Sequence, residues 1–374
     1  MVIREYSKVE LVFSSSESEA VKIALVNLRR DLIRTLDCSV TAGGIIRILV
    51  GTVGNLPELD EKADISKLRA EDGTYRKEAF LIQEKDGELL IAGTDRRGTI
   101  YGIYDFCEWL GVSPWYFFAD VPVRRRSEAV IENGYCKVDY PSVEYRGIFI
   151  NDEEELEHWV WRYMGETTIG VKTYEKIFEL LLRLKLNYIW PAMHVNSFNL
   201  KQENGALANR MGIVVGTSHC DMLMRSNNRE WKPWLAKKGY TDVEYDFSIP
   251  GRNREILKEY WRESVEQNRD FEVSYTVGMR GIHDSGFETK SLEGLTGEKL
   301  LKAKIELLES VMAAQQEILS ETLDTEPMKT FVPYKEVLEL YDNGLKVPED
   351  LTLIWTNDNY GYVRRYPGEK EKAR

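Results

Sequence analysis

The segment RGIFINDEEELEHWVW, residues 146–161, determines how the rest of the chain is interpreted. Its first part, Gly147–Ile150, predicts a short buried strand. Three polar residues follow this strand directly, namely Asn151, Asp152 and Glu153. An acidic segment that contains tryptophan comes next and predicts a helix. An apolar strand that ends in carboxylates and continues into a helix is typical of the catalytic edge of a parallel (β/α) barrel.

The same pattern recurs through the second part of the chain. The predicted strands are Gly147–Ile150, Asn187–Trp190, Gly212–Val215, Val273–Val277, Thr330–Val332 and Leu351–Trp355. The predicted helices between them are Thr173–Leu184, Arg252–Gln267, Glu298–Leu323 and Lys335–Asp342, the last closed by Asn343-Gly344. Strands that alternate with helices predict an α/β fold with a parallel sheet. Six strands do not close an eight-stranded barrel, so we expect either an open sheet or a TIM-type barrel that is incomplete.

A smaller α/β domain is predicted before this barrel. Its strands are Val9–Phe13, Ile45–Val50, Ala79–Gln83 and Glu88–Ala92, and its helices are Thr99–Leu110 and a segment capped by Ser16 or Ser18 that runs to Leu36. Asp86-Gly87 predicts a hairpin turn between the last two strands. We therefore expect an N-terminal domain over residues 1–125, a connector over 126–145 and a catalytic barrel, truncated at its C-terminus, over 146–374.

Composition excludes several classes of protein. The chain has 374 residues and a net charge of −12, which disfavours nucleic acid and anionic membranes as main partners. Its four cysteines lie far apart and predict neither a disulfide framework nor a zinc site. We see no apolar run long enough to span a membrane and no signal peptide, so we expect a cytoplasmic protein.

Polar and aromatic residues follow each predicted strand. The candidates for the site are Asn151, Asp152, Glu153, Trp190, His219, Arg280, His283, Asp284, Lys335, Glu336, Asp358 and Asn359. Several carboxylates with aromatic rings and a few cations suit glycoside hydrolysis. That reaction needs one acid that protonates the leaving oxygen and one carboxylate that activates water or attacks the sugar. The long connection after the third strand, with SNNREWKPW and YDFSIPGRN, is expected to form a wall of the pocket.

Structural roles compete with these catalytic ones. Asp152 can cap the following helix with Glu155 as its capping-box partner. Glu336 lies in the first turn of a helix, where the helix dipole favours a carboxylate without any catalytic role. The histidines can be packed or surface side chains, and no HxxxH or HxH spacing indicates a metal site.

Seven segments, in order along the chain, resemble glycoside hydrolase family 115. They are IAGTDRRGTIYGIYDFCEWLGVSPWYFFADVPV, YRGIFINDEE, LNYIWPAMH, GTSHCDMLMR, VGMRGIHDSGF, FVPYKEVLELY and LIWTNDNYGYVRR. The resemblance implies a xylan α-1,2-glucuronidase that removes glucuronic or 4-O-methylglucuronic acid with inversion. It also implies an N-terminal α/β domain and a TIM barrel followed by further domains, of which this chain would hold the first domain and most of the barrel.

The resemblance also implies roles for individual residues. Glu336 of the YKEV motif would be the general acid, and Asp284 or Asp152 the base. Arg280 would bind the carboxylate of the uronic acid. The residues expected to line the sugar pocket or bind substrate are Trp190, His219, His283, Asn151, Glu153, Lys335, Asp358 and Asn359. Many members carry an acidic GDGDE-like sequence where this chain has GIHDSGF. We therefore expect no required cofactor, and a divalent cation near the site has no support in the sequence.

The expected partners are glucuronoxylan or aldouronic oligosaccharides, with a homodimer as an expectation for the full-length form. The main alternative is a protein that binds glucuronoxylan without turnover, or an inactive truncated remnant. Two further alternatives are a glycosidase of another family with a similar N-terminal domain and a phosphate-binding barrel. The phosphate-binding barrel lacks support, because the sequence contains no glycine-rich phosphate loop.

Overall fold

The computed structural model describes residues 1–151, 155–191, 193–358 and 360–372. The chain divides into two compact units. Unit 1 comprises Met1–Gly147, Glu175–Tyr188 and Arg210–Ile213, and unit 2 comprises Ile148–Tyr174, Ile189–Asn209 and Val214–Arg374. The domain limits drawn from the sequence stay predictions.

Unit 1 contains a six-stranded mixed sheet and a separate pair of strands. The strands are β1 (Val2–Arg4), β2 (Lys8–Val12), β3 (Ser39–Val40), β4 (Ile46–Thr52), β5 (Phe80–Lys85), β6 (Glu88–Gly93), β7 (Glu128–Val130) and β8 (Cys136–Asp139). The order in the sheet is β3-β2-β4-β6-β5-β8, and β1 pairs with β7. Strands β2, β3, β4 and β6 pair in parallel, whereas β5 is antiparallel to β6 and β8. The hairpin predicted at Asp86-Gly87 is confirmed, because Lys85 pairs with Glu88 across it.

The helices within Met1–Gly147 are α1 (Glu19–Leu36), α2 (Pro57–Lys62) and α3 (Arg96–Leu110). At the start of α1 and of α3, a side chain satisfies free backbone amides. Ser18 caps α1 by accepting a hydrogen bond from the Val21 amide. Asp95 caps α3 and accepts from the amides of Arg97 and Gly98. Because Asp95 supplies this cap, α3 begins three residues before the predicted start at Thr99.

A network of charged side chains is buried in unit 1. Arg183 binds Asp31 at 2.6 Å and Glu179 at 2.9 Å, and Arg30 binds the same two carboxylates. Burial raises the pKa of Glu179, but Arg183 and Arg30 outweigh burial and lower it to about 2. The paired cations thus keep Glu179 ionised inside the unit.

The second part of the chain contributes six short strands, each of which overlaps a predicted one. They are β9 (Gly147–Phe149), β10 (Tyr188–Trp190), β11 (Val214–Val215), β12 (Ser274–Thr276), β13 (Met328–Phe331) and β14 (Thr352–Leu353). They form two three-stranded sheets, ordered β11-β10-β9 and β12-β13-β14, with parallel pairing throughout the second. A parallel bridge joins Val215 to Val273. Closure of these strands into a TIM-type barrel stays a prediction.

Helices separate these strands. They are α4 (Glu155–Trp159), continued by a π-helical turn at Val160–Met164, then α5 (Val171–Arg183), α6 (Gln202–Met211), α7 (Trp231–Lys238), α8 (Arg252–Asn268), α9 (Gly297–Thr322) and α10 (Glu336–Asp342). The sequence predicted neither α6 nor α7. Gly205 lies inside α6 and Pro233 in the first turn of α7, and both residues weaken a sequence-based helix prediction. In the part of the chain that is described, no helix combines the length and apolar character that a membrane span requires.

Candidate active site

Arg280 joins two carboxylates that follow adjacent parallel strands. Its Nε and Nη2 atoms donate to Glu336 Oε1 and Oε2 at 3.0 and 2.8 Å, and its Nη1 donates to Asp284. The Arg280 side chain is only 2% exposed. Paired hydrogen bonds between a guanidinium and a carboxylate are strong and fix orientation, because both groups are planar and charged. The positions of Glu336 and Asp284 therefore depend on one buried cation.

Asp284 has two further basic partners. His219 Nε2 lies 2.8 Å from its Oδ1, and Lys335 Nζ donates to its Oδ2 at 2.7 Å. All three partners bind the ionised form of the carboxyl group. The cluster thus pairs two carboxylates with one guanidinium and one ammonium group, so the formal charges of these four groups sum to zero.

His219 contributes an uncharged imidazole to this cluster. Burial lowers its pKa to about 4, Arg280 and Lys335 lower it in the same direction, and Glu336 opposes them. The ring is therefore neutral at neutral pH, and it donates from Nε2 because the Asp284 carboxylate can only accept. The Tyr334 ring packs against His219, with 4.6 Å between the ring centroids. This packing limits how the imidazole can turn.

The loops that carry the cluster have unusual backbone conformations. His283, Asp284 and Lys335 have φ values of 59°, 59° and 52°. Residues other than glycine rarely adopt this left-handed region, and such strain concentrates at functional sites. Gly281 has no room for a side chain, since an added Cβ would collide with Ser285 and Gly286. The loop after β12 thus holds Asp284 in a conformation that its neighbours enforce.

Asn227 is a site residue that the sequence analysis missed. Its amide Nδ2 donates to the carbonyl oxygens of Cys220 and Gly281 at 2.9 and 3.1 Å. Its Oδ1 accepts from the His283 amide at 3.1 Å, and the residue is 2% exposed. Asn227 therefore ties the loop after β11 to the loop after β12. The only signal was its place in the long connection after the third predicted strand.

The structure gives contacts or exposure for four other predicted site residues, namely Trp190, Asn151, His283 and Asp358. Trp190 ends β10 and meets the Phe149 ring edge-on at 5.5 Å, and Asn151 is exposed just beyond β9. His283 is exposed, and its ring lies 4.0 Å from that of His194. The Asp358 carboxylate binds Arg364 at 2.6 Å in its own loop. The predictions for Asp152, Glu153 and Asn359 lie outside the described residues.

Within the described ranges, no group of three or more His, Cys, Asp or Glu side chains is arranged to hold a metal ion. Asp284 and Glu336 already bind protein cations, which supply the positive charge at this site. The arrangement can therefore provide acid and base groups with a positive electrostatic partner.

A cleft of about 610 Å³ lies beside the loop after β12. One wall comes from the connection that the sequence predicted as a pocket wall, including Trp231, Lys232 and Tyr245. The other comes from residues 281–290, which continue directly from Arg280. The loop that carries Asp284 therefore contributes both to the charged cluster and to this cleft.

Residues 138–374 match the sequence model of glycosyl hydrolase family 115, which is more than half of the chain. The chain belongs to glycosyl hydrolase family 115. The match includes every residue of the Arg280 cluster. The resemblance on which the sequence analysis relied is thus confirmed.

A solved family 115 structure is similar along the whole chain. It is that of BtGH115A, described as a 4-O-methyl-α-glucuronidase with specificity for decorated arabinogalactans. The identity is 34%, the TM-score is 0.87, and the match covers 100% of this chain and 48% of that one. This chain thus spans about half the length of that family 115 structure.

A second solved structure, that of CpGH84D, has a TM-score of 0.51 at 14% identity, over 97% of this chain and 54% of that one. At this identity the likeness concerns the fold alone. The comparison with curated proteins finds no match. Family 115 membership places the chain among the glycoside hydrolases.

Proposed function

We propose that the chain forms part of a glycoside hydrolase that removes α-1,2-linked glucuronic or 4-O-methylglucuronic acid from xylan or xylo-oligosaccharides. The proposal rests on one observation: the guanidinium of Arg280 donates hydrogen bonds to both Glu336 and Asp284. Two carboxylates with a cation between them suit hydrolysis of a glycoside whose sugar itself bears a carboxylate.

The proposed mechanism is inverting, with Glu336 as general acid and Asp284 as base. Inversion needs room for a water molecule, so the two carboxyl groups should lie about 6.5–9.5 Å apart in the working complex. His219 and Lys335 orient the Asp284 carboxylate, which would activate the water. Asp152 is the alternative base, and it lies outside the described residues.

Glu336 must carry a proton to act as an acid, yet Arg280 binds it as a carboxylate. We infer that the uronate carboxylate of the substrate competes for the guanidinium of Arg280 and displaces Glu336. An exchange of one carboxylate for another preserves the paired hydrogen bonds of Arg280. Glu336, released from Arg280, is then free to reach the leaving oxygen. On this proposal the acid becomes competent only when a uronic acid is bound.

Release of 4-O-methylglucuronic acid from aldouronic oligosaccharides tests the proposal, with wild type beside Glu336→Gln. We expect the rate to fall by about 10²- to 10⁴-fold, because the acid is lost while the shape of the side chain is kept. Glu339→Gln, an exposed position on the same helix, is the matched control and should retain the wild-type rate. Proton NMR of the first product should show the β-anomer. Equal rates in the two variants would remove Glu336 from the mechanism.

Decorated arabinogalactan is a second candidate substrate. It is favoured by the description of BtGH115A, which is 34% identical to this chain. The ratio of kcat/KM on glucuronoxylan and on decorated arabinogalactan, at equal uronic acid content, discriminates between the two. If both polymers bind but neither releases a uronic acid, the alternative of binding without turnover is favoured for this chain.

A further inference from the structure

We propose that the cleft of about 610 Å³ between α7 and residues 281–290 binds a neutral oligosaccharide segment of the polysaccharide substrate. The nature of the ligand rests on the proposed function, whereas the existence and composition of the cleft do not. Its volume falls within the range of about 300–1,000 Å³ that is usual for ligand sites.

The floor of the cleft is aromatic and apolar. Trp231 is 2% exposed and meets the Tyr245 ring edge-on, with 5.5 Å between the ring centroids. Leu235 extends this floor, and Ile282 contributes an exposed aliphatic side chain from the opposite wall. The partly exposed Tyr245 ring and the Ile282 side chain can pack against the C–H faces of a sugar ring, and the buried Trp231 ring packs against Tyr245.

The rim of the cleft is polar and carries an excess of negative charge. Its charged lining residues are Glu244, Asp246, Glu288, Glu293, Lys232 and Lys290. Four carboxylates against two ammonium groups disfavour a second uronic acid at this position, because like charges repel. Carboxylates instead accept hydrogen bonds from the hydroxyl groups of a neutral sugar, and lysines donate to its oxygens.

The rim is also fixed in place. Asp246 accepts from the amides of Ser248 and Lys290, both at 2.8 Å, and thereby joins the two walls. Glu244 and Lys290 form an ion pair across the walls at 2.5 Å, and both side chains are 56% exposed. An exposed ion pair contributes little to stability, so its two members can bind a ligand at low cost.

The position of the cleft relates it to the catalytic cluster. Gly281, Ile282 and Ser285 line the cleft, while Arg280 and Asp284 of the same loop belong to the cluster. A sugar chain in the cleft would therefore lie one loop away from the carboxylates that act on its uronic acid branch. We infer that the cleft selects the neutral part of the substrate.

Calorimetric titration with xylotetraose, which has no uronic acid and cannot be turned over, tests the inference. We expect wild type to bind it and the double variant Glu244→Ala/Lys290→Ala to bind at least tenfold more weakly. The matched control is Lys302→Ala/Glu306→Ala, which removes an exposed Glu–Lys pair on α9 outside the cleft and should keep the wild-type Kd within twofold. Glu336→Gln should also leave this Kd unchanged.

Three outcomes would overturn the inference. The first is that wild type does not bind xylotetraose, and the second is that both double variants have the same Kd. The third is that Glu336→Gln loses xylotetraose binding, which would place the sugar at the catalytic cluster. Because no uronic acid is released in this experiment, its result is independent of the glucuronidase assay. An active enzyme without xylotetraose binding would refute the cleft proposal alone.

Discussion

At the scale of single residues, Arg280 has the largest influence on the site. It is the partner that Glu336 and Asp284 share, and the proposed mechanism requires it to exchange Glu336 for the carboxylate of the substrate. Arginine suits this exchange because its planar fork offers the same paired geometry to any carboxylate, which lysine cannot do.

Arg280→Lys should raise KM for aldouronic oligosaccharides at least tenfold, because lysine keeps the charge but loses the paired hydrogen bonds. The decisive comparison uses an analogue in which the uronate carboxylate is reduced to a hydroxymethyl group. For this neutral analogue, the Kd values of wild type and variant should differ by less than threefold, because it has no carboxylate for Arg280 to bind. A loss of the same size on both substrates would mean that Arg280 only positions Glu336.

His219 gives the site a dependence on pH. Its folded-state pKa of about 4 lies below the value of about 6.5 for an unperturbed histidine. The unfolded chain therefore binds the extra proton first, and folding stability falls as the pH is lowered from about 6.5 to about 4. Above about 6.5 the contribution is complete.

Lowering the pH from about 6.5 to about 4 should therefore reduce the free energy of unfolding by about 3 kcal/mol. Urea unfolding of wild type and His219→Gln at pH 7.5 and 4.5 measures it, because glutamine can still donate to Asp284 but does not titrate. The difference between the two proteins should depend on pH. A constant difference would show that protonation of His219 is not coupled to folding.

At the scale of elements, the site consists of loops that follow parallel strands. Strands β12 and β13 pair in register, so the loops after them start side by side. The local sequence predicted strands β9 to β14, since each of them overlaps a predicted segment. The connections that order the loops were not predicted, because Asn227 and Gly281 lie 54 residues apart in the chain.

Asn227→Ala should destabilise the protein by about 1–3 kcal/mol, because two carbonyl groups and one amide lose a buried partner. The kcat of the folded variant should also fall, since the loop of Asp284 loses its connection to the loop after β11. Asn227→Asp keeps an acceptor for the His283 amide but no donor, and should be no better. The measurements are urea unfolding and kcat.

Asn343→Ala is the control for this series. It removes an exposed side-chain bond to the Glu339 carbonyl at the end of α10 and should change both quantities little. If Asn227→Ala retained wild-type kcat at full stability, Asn227 would not position the catalytic loop.

At the scale of the whole molecule, each unit contains its own buried polar structure. In unit 1 this is the Arg183 network, which includes none of the predicted catalytic residues. Its role is structural, since Arg183 is 2% exposed and its two carboxylate partners are at most 5% exposed. Removing one member of such a network leaves charges buried without compensation.

Arg183→Met should lower the unfolding free energy by about 3–5 kcal/mol. The matched control is Arg262→Met, which breaks an exposed pair with Glu321 and should cost less than about 1 kcal/mol. Thermal unfolding followed by calorimetry compares the two. Equal effects would show that the buried network contributes no more than a surface ion pair.

The sequence by itself determined the order and approximate bounds of most strands and helices, because their signals are local. Alternation of apolar residues, Ser18 before α1 and Asn343-Gly344 after α10 all act within a few residues of the chain. Local composition did not predict α6 and α7, where an interior Gly205 or Pro233 weakened the helical signal, nor the short elements α2, β1 and β3.

The tertiary structure alone decided which side chains meet. Glu336 could have been a helix-dipole carboxylate until Arg280 was seen to bind both Glu336 and Asp284. Asn227 and the cleft likewise depend on loops that are remote in sequence. The physical reason is that a hydrogen bond or ion pair is fixed by distance and direction in space, which residue spacing along the chain does not specify.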